Sequence, residues 1–128
     1  MNSATNRAPV ASYQPDYDAI IGVLNDYFDG LYAGDVKKLR AIFGEDAVLK
    51  GNGYRKTRDE WLEAVANRPI PRDEGMAFNF NIQSLEIVGD QAMARVDAPL
   101  PAAHFIDFLG LLKEDGRWRI VNKMFTTI

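Results

Sequence analysis

The sequence predicts an α+β protein in which helices cover one face of a mainly antiparallel sheet. Three observations carry that prediction. As far as Val65, apolar residues recur at the spacing of helical faces. From residue 77 onward the pattern changes to the alternation of half-buried strands. The dipeptides Gly89-Asp90 and Asp115-Gly116 then divide that second half into hairpins, since each suits a two-residue turn of the primed kind.

Each element has its own justification. Tyr17, Ile20, Ile21, Leu24, Tyr27, Phe28 and Leu31 fall on one face of a first helix, with Asp16 as its expected N-cap and Gly34 as its stop. Asp35 can cap a short second helix whose inner stripe is Val36, Leu39, Ile42 and Phe43. Residues 47–49 are a short strand candidate. Thr57 and Glu60 form a capping box ahead of Trp61, Leu62 and Val65, and Pro69 ends this third helix. Four long antiparallel strands follow. Pro99 and Pro101 cannot donate to a ladder, so pairing should lapse between the second and third of them.

Composition bounds the function. A chain of 128 residues suits one domain, expected over residues 16–128, behind a flexible arm at residues 1–15 that lacks the apolar run of a signal peptide. Hydrophobic content of 47% and charged content of 26% are ordinary for a globular protein. A net charge of −3 gives no electrostatic reason to bind nucleic acid or an anionic membrane. The absence of Cys excludes disulfides and thiolate metal sites, and a single His excludes a multi-histidine zinc site. No apolar run is long enough to span a bilayer. No phosphate loop or nucleophile elbow is present, so no cofactor or metal is expected. A cytoplasmic location is the default expectation.

Turn positions imply which residues share a face. With Asp115 and Gly116 as the loop, Glu114 opposes Arg117. Phe105, Asp107, Leu109 and Leu111 then share a face with Trp118, Ile120, Asn122, Met124 and Thr126. That face is the more apolar, so it is assigned to the core, with Asp107 and Asn122 as diagonal neighbours inside it. The Gly89-Asp90 turn likewise places Asn79, Asn81 and Gln83 on the face of Ala92, Ala94 and Val96. A one-residue bulge in either hairpin would exchange its faces.

This register yields a candidate pocket. Asp107 is its expected base or ligand anchor, with a structural carboxylate as the alternative, because a buried Asp needs a partner or a task. Asn122 would orient it. Asn81 and Gln83 would offer amides, Tyr27 and Tyr54 hydroxyls, and Trp61, Trp118 and Met124 an apolar wall. The ligand expected is small and partly apolar. His104 is expected on the outer face as a surface histidine. Ile106, Phe108, Leu112, Val121 and Phe125 would make that outer face apolar enough to pair with a second copy, with Arg119, Lys123 and Glu114 at its margin.

Two stretches add a resemblance. "YFDGLYAGDVKKLRAIFGEDAVL" and "FIDFLGLLKEDGRWRIVNKMF" resemble the nuclear-transport-factor-2-like superfamily, and within it the lumazine-binding protein group. The resemblance covers about residues 16–126 and implies a cone: a curved sheet wrapped around three helices, with a cavity at its open end. Its implied relatives include ketosteroid isomerases, polyketide cyclases, scytalone dehydratases and non-catalytic binding domains, so the fold does not decide function. A catalytic member would be expected to isomerise or dehydrate by cofactor-independent proton transfer. The alternative is a dimeric interaction or carrier module with a filled cavity.

Overall fold

The computed structural model describes residues 13–128, so most of the arm expected over residues 1–15 lies outside the described part. Helix α1 spans Gln14–Ala33, α2 Val36–Ile42 and α3 Arg58–Asn67. Six strands follow and intervene: β1 Phe43–Gly51, β2 Tyr54–Thr57, β3 Asn81–Val88, β4 Gln91–Pro99, β5 His104–Glu114 and β6 Arg117–Thr127. They form one curved, unclosed sheet in the order β2-β1-β6-β5-β4-β3, antiparallel except where β1 runs parallel to β6.

Local chemistry explains most helix ends. Gly34 closes α1 in the left-handed region at φ 63°, where a side chain would be strained. Asp35 accepts from the Lys38 amide at the start of α2. Thr57 and Glu60 form the full reciprocal box on α3. The start of α1 departs from expectation. Its N-cap is Tyr13, and Asp16 lies in the first turn, where its carboxylate serves another purpose described below. Tyr17 is 46% exposed because the helix turns that position away from the sheet, while Ile20, Leu24, Tyr27, Phe28 and Leu31 are buried. Leu39 sits so close to Gly30 that a Cβ there would come within 2.6 Å of its side chain, which sets the tight approach of α1 and α2.

Two bulges correct the expected register. Between β5 and β6 the pairing runs as expected from Glu114↔Arg117 to Leu111↔Ile120, then shifts, so that Gly110 opposes Asn122 and Leu109 opposes Lys123. Val121 is the extra residue. Beyond it every side chain of β6 changes face: Lys123 and Phe125 turn inward, and Asn122 and Met124 turn outward. The β1–β6 ladder breaks at the same level, between Phe43 and Val48, so the sheet bends there as a unit. Between β3 and β4 the shift falls at Gln83, and Asn81 now opposes Asp97. Asn79, Asn81 and Gln83 are all exposed, so none of these amides lines the interior. Ile82, opposite Val96, takes the inward place instead.

The core lies between the helices and the concave face. Leu24, Leu39, Leu49, Leu62, Leu109 and Ile120 are fully buried in it, and Ala92, Ala94, Val96 and Ala98 give β4 the small profile that lets the helices approach. Burial of each large side chain of this kind stabilises the fold by roughly 1.5–3 kcal/mol.

Candidate functional site

The interior contains two buried groups that a purely apolar core would not hold, Asp107 at 1% exposure and Lys123 at 6%. Both project from the concave face. Asp107 opposes Phe125 and Lys123 opposes Leu109, which makes the two polar residues diagonal neighbours on adjacent strands. Tyr27, from the middle of α1, donates its hydroxyl to Asp107 Oδ2 at 2.6 Å. Asp107 Oδ1 has no hydrogen-bond partner, and neither does Nη2 of Arg68, the residue that caps α3. A buried polar atom left unpaired costs about 1–3 kcal/mol, and two residues with such atoms on the lining of one cavity mark a place where a further molecule would be held.

These residues surround a cavity of about 180 Å3. Its polar side is Tyr27, Arg68, Asp107 and Lys123; its apolar side includes Leu31, Tyr54, Trp61, Phe105 and Phe125. The volume somewhat exceeds the ~150 Å3 of an apolar cavity that takes up benzene, so one substituted six-membered ring is the scale of what fits. Gly51 leaves room for the Phe125 ring, one wall of this space. A Cβ there would stand 2.9 Å from Phe125 Cζ, and the ring instead packs edge-on against Tyr54 at 5.0 Å between centroids.

Electrostatics distinguish the four polar residues. The Lys123 ammonium lies 4.5 Å above the Trp61 ring centre, with the Tyr27 and Phe125 rings at 5.5 and 5.6 Å. Ring faces attract a cation, but they do not replace water. Desolvation therefore brings its pKa down to about 8; the Asp107 charge opposes that fall and the Arg68 charge adds to it. Among the described residues, no carboxylate forms an ion pair with it. Burial pushes the Tyr27 hydroxyl well above its ordinary value, helped by the charge of Asp107 and the hydrogen bond to it. Tyr27 therefore keeps its proton and holds the carboxylate in place. Tyr54 is raised as well, by desolvation first. Arg68 is disfavoured as a cation by burial, with Tyr27, Tyr54 and Asp107 opposing.

The placement of the expected site residues divides cleanly. Asp107, Tyr27, Tyr54 and Trp61 meet at the cavity. Asn122 lies on the other face beyond the bulge, so Tyr27, not Asn122, holds Asp107. Met124 is 45% exposed on that same outer face. Asn81 and Gln83 are outside for the reason already given. Trp118 is buried but away from the cavity, because its Nε1 donates to Asp16 Oδ1 at 3.0 Å. His104 lies on the outer face, where its Nε2 contacts Asp97. Lys123, Phe125 and Arg68 are the residues that sequence reasoning missed. For Lys123 and Phe125 a signal existed. Gly110 interrupts β5, and an isolated strand glycine points to a bulge. Arg68 had none, since an arginine before a proline at a helix end reads as a solvated cap.

The fold and the sequence both have relatives. An NTF2-like protein of unknown function from Shewanella baltica OS155 superposes with a TM-score of 0.79 at 27% identity, over 91% of this chain and 96% of that one. One from Methylobacillus flagellatus KT gives a TM-score of 0.74 at 31% identity, over 90% and 94%. A curated protein named Aldolase FrzH, from Cladobotryum sp, is 23% identical over 112 residues, covering 86% of this chain and 90% of that protein. No helix among the described residues is long and apolar enough to cross a membrane. The model of the family described as "Putative lumazine-binding" matches residues 15–126, so with its cone of three helices in a curved sheet the chain belongs to that family within the NTF2-like superfamily.

Proposed function

We propose that the cavity binds a small, partly apolar carbonyl compound and moves a proton at the carbon beside its carbonyl, without a cofactor. The observation that carries this reading is the unpartnered Oδ1 of buried Asp107, held by Tyr27 on its other oxygen, in a cavity that also presents two cations. Asp107 is the base. Lys123 and Arg68 supply the positive charge that an enolate oxygen needs, in a place where water does not screen it. Family membership and the NTF2-like fold support small-molecule binding. The aldolase name of the 23% identical relative supports carbonyl chemistry, since an aldol reaction begins with removal of a proton beside a carbonyl. The expected products are those of isomerisation, dehydration or carbon–carbon bond chemistry.

The test is deuterium uptake. Cyclohexanone, acetophenone and similar one-ring ketones are incubated with the protein in D2O and followed by proton NMR. Exchange at the α-carbon above the buffer rate, lost in Asp107→Asn, is the expected result. Exchange that Asp107→Asn leaves unchanged, or none with any ketone of this size, overturns the reading.

A second reading concerns the outer face, where Val88, Met93, Phe108, Leu112 and Met124 are exposed together. Register places them on one side of the sheet, and an apolar patch of this extent is unusual on a monomer. It favours a homodimer through the convex face, now without the inward Phe125 and Lys123. Phe108→Glu should give monomers in light scattering; a wild type that is already monomeric at high micromolar concentration rejects the dimer.

A further inference from the structure

We infer that Lys123 is an amine nucleophile that forms an imine with a small aldehyde or ketone held in the cavity. The inference rests on the proposed carbonyl reading and deepens it by naming the substrate class and a covalent step. Three observations lead to it. First, Lys123 is buried against the cavity and has no carboxylate partner among the described residues. A lysine that only supports the fold would be paired or would extend its amine to water. Second, the bulge at Val121 is what brings this side chain inside; with regular pairing it would face outward. Third, the ring faces of Trp61, Tyr27 and Phe125 enclose the amine in an apolar wall. Desolvation there raises the fraction of neutral amine, the form that attacks carbon.

The step balances without a redox partner. The amine lone pair attacks the carbonyl carbon, a C–N bond forms, and the C=O π pair moves to oxygen, which takes up a proton. The nitrogen, left with two protons and a positive charge, gives one of them to that hydroxyl, and cleavage of the C–O bond then releases one water and leaves the protonated imine. Asp107, diagonal to Lys123 on the next strand and with Oδ1 free, then removes a proton from the adjacent carbon. The C–H pair becomes the C=C bond of an enamine as the imine nitrogen regains its lone pair. Return of the proton and of water releases the carbonyl compound. Arg68 contributes its charge to the leaving oxygen and helps keep Lys123 unprotonated.

The experiment uses the full chain with cyclohexanone, benzaldehyde and acetone in turn, each with sodium cyanoborohydride at pH 7. The reductant adds hydride to the imine carbon and fixes it as a secondary amine, which peptide mass mapping locates. Modification of Lys123 should exceed that of exposed Lys37 by on the order of 10²-fold, because desolvation makes the Lys123 amine neutral far more often than an ordinary lysine's. Lys123→Met should lose that modification while leaving labelling of Lys37 as it was. Lys123 labelled no faster than Lys37 by any of the three compounds overturns the inference. Deuterium exchange of cyclohexanone and acetone, the two compounds with α-hydrogens, in parallel samples without the reductant separates the two claims. Exchange that survives in Lys123→Met removes the imine and leaves the proton-transfer reading; trapping at Lys123 without exchange leaves the imine and removes that reading.

Discussion

Two aspartates in this protein have the same kinds of neighbour and different fates. Asp16, in the first turn of α1, accepts from Trp118 Nε1 at 3.0 Å and from Lys113 Nζ at 2.9 Å. Asp107, inside the cone, accepts from the Tyr27 hydroxyl and lies near Lys123 without an ion pair. Around Asp16 every charge has a partner at the edge of water, and both bonds favour the carboxylate, so its pKa falls below the ordinary 3.8. Around Asp107 one oxygen is unpaired and the nearby lysine is held partly against its charge. An aromatic donor, a carboxylate and a lysine thus make a strut when their valences are filled. Left unfilled and out of water, the same three make a candidate reaction centre.

The sharpest way to break this comparison is to remove each carboxylate's charge. Asp107→Asn keeps an acceptor for Tyr27 but removes the base, so ketone α-proton exchange should fall by about 10²–10⁴. Asp16→Asn should leave exchange unchanged, because Asp16 is remote from the cavity. Equal losses from the two substitutions, measured by NMR on folded protein, would end the distinction between strut and site.

The lysines extend the contrast to stability. In the folded chain Lys123 loses its proton near pH 8, against 10.5 ordinarily. Between those values the unfolded chain binds more protons, so stability should rise with pH through that window. Below about 8 both states are protonated and the burial penalty is complete. Lys123→Met should therefore raise stability at pH 7 by up to roughly 3 kcal/mol and flatten the alkaline rise. Urea melts at pH 7 and pH 9.5 would show it. A Lys123→Met protein less stable than wild type at pH 7 would mean that the ring contacts outweigh desolvation.

Legibility in the sequence followed the same division. The helices, their caps at Asp35 and Thr57 and both primed turns were readable because each depends on residues close in the chain. The four-residue strand β2 was not, since Arg55 and Lys56 conceal its alternation. The interior half of β6 was misassigned for a physical reason: a register argument propagates outward from a turn and fails at the first extra residue. Yet the apolar spacing carried the information. Ile82 and Leu85 are three apart, and Ile120 and Phe125 five apart. An odd separation between two inward residues requires a bulge. The assignment to Asn122 failed because it took the more apolar face at the turn as the inner face along the whole strand; beyond the bulge at Val121 the inner face carries Lys123, buried, and Phe125, half-buried.

The cavity itself can be altered through Gly51. Gly51→Ala would place a methyl 2.9 Å from Phe125 Cζ, and the ring can yield only toward Tyr54, Phe105 or the open space. We expect a loss of about 1–3 kcal/mol from overpacking, together with weaker trapping of cyclohexanone as the ring enters the cavity. Thermal melts and the labelling yield measure the two parts. Unchanged stability with unchanged labelling would show that Phe125 has room to move elsewhere.

The smallest effect belongs to Asp16 and tests the other half of the comparison. Its folded pKa is lowered by the Trp118 and Lys113 hydrogen bonds, so the stability it contributes is present above its unfolded value of 3.8 and is lost as pH falls through the folded value. Asp16→Asn keeps an acceptor for Trp118 and removes the charge that Lys113 meets. It should lower the melting temperature slightly at pH 7, and the difference from wild type should vanish as the acid limb passes below both pKa values. In the alkaline window governed by Lys123 the two proteins should run parallel. Because Asp16 is only partly covered, added salt should shrink the difference at pH 7, whereas it should leave the Lys123→Met effect almost intact. A salt response of equal size at both sites would show that the cone's interior is as wet as its rim, and the distinction between the two aspartates would then rest on the missing hydrogen bond alone.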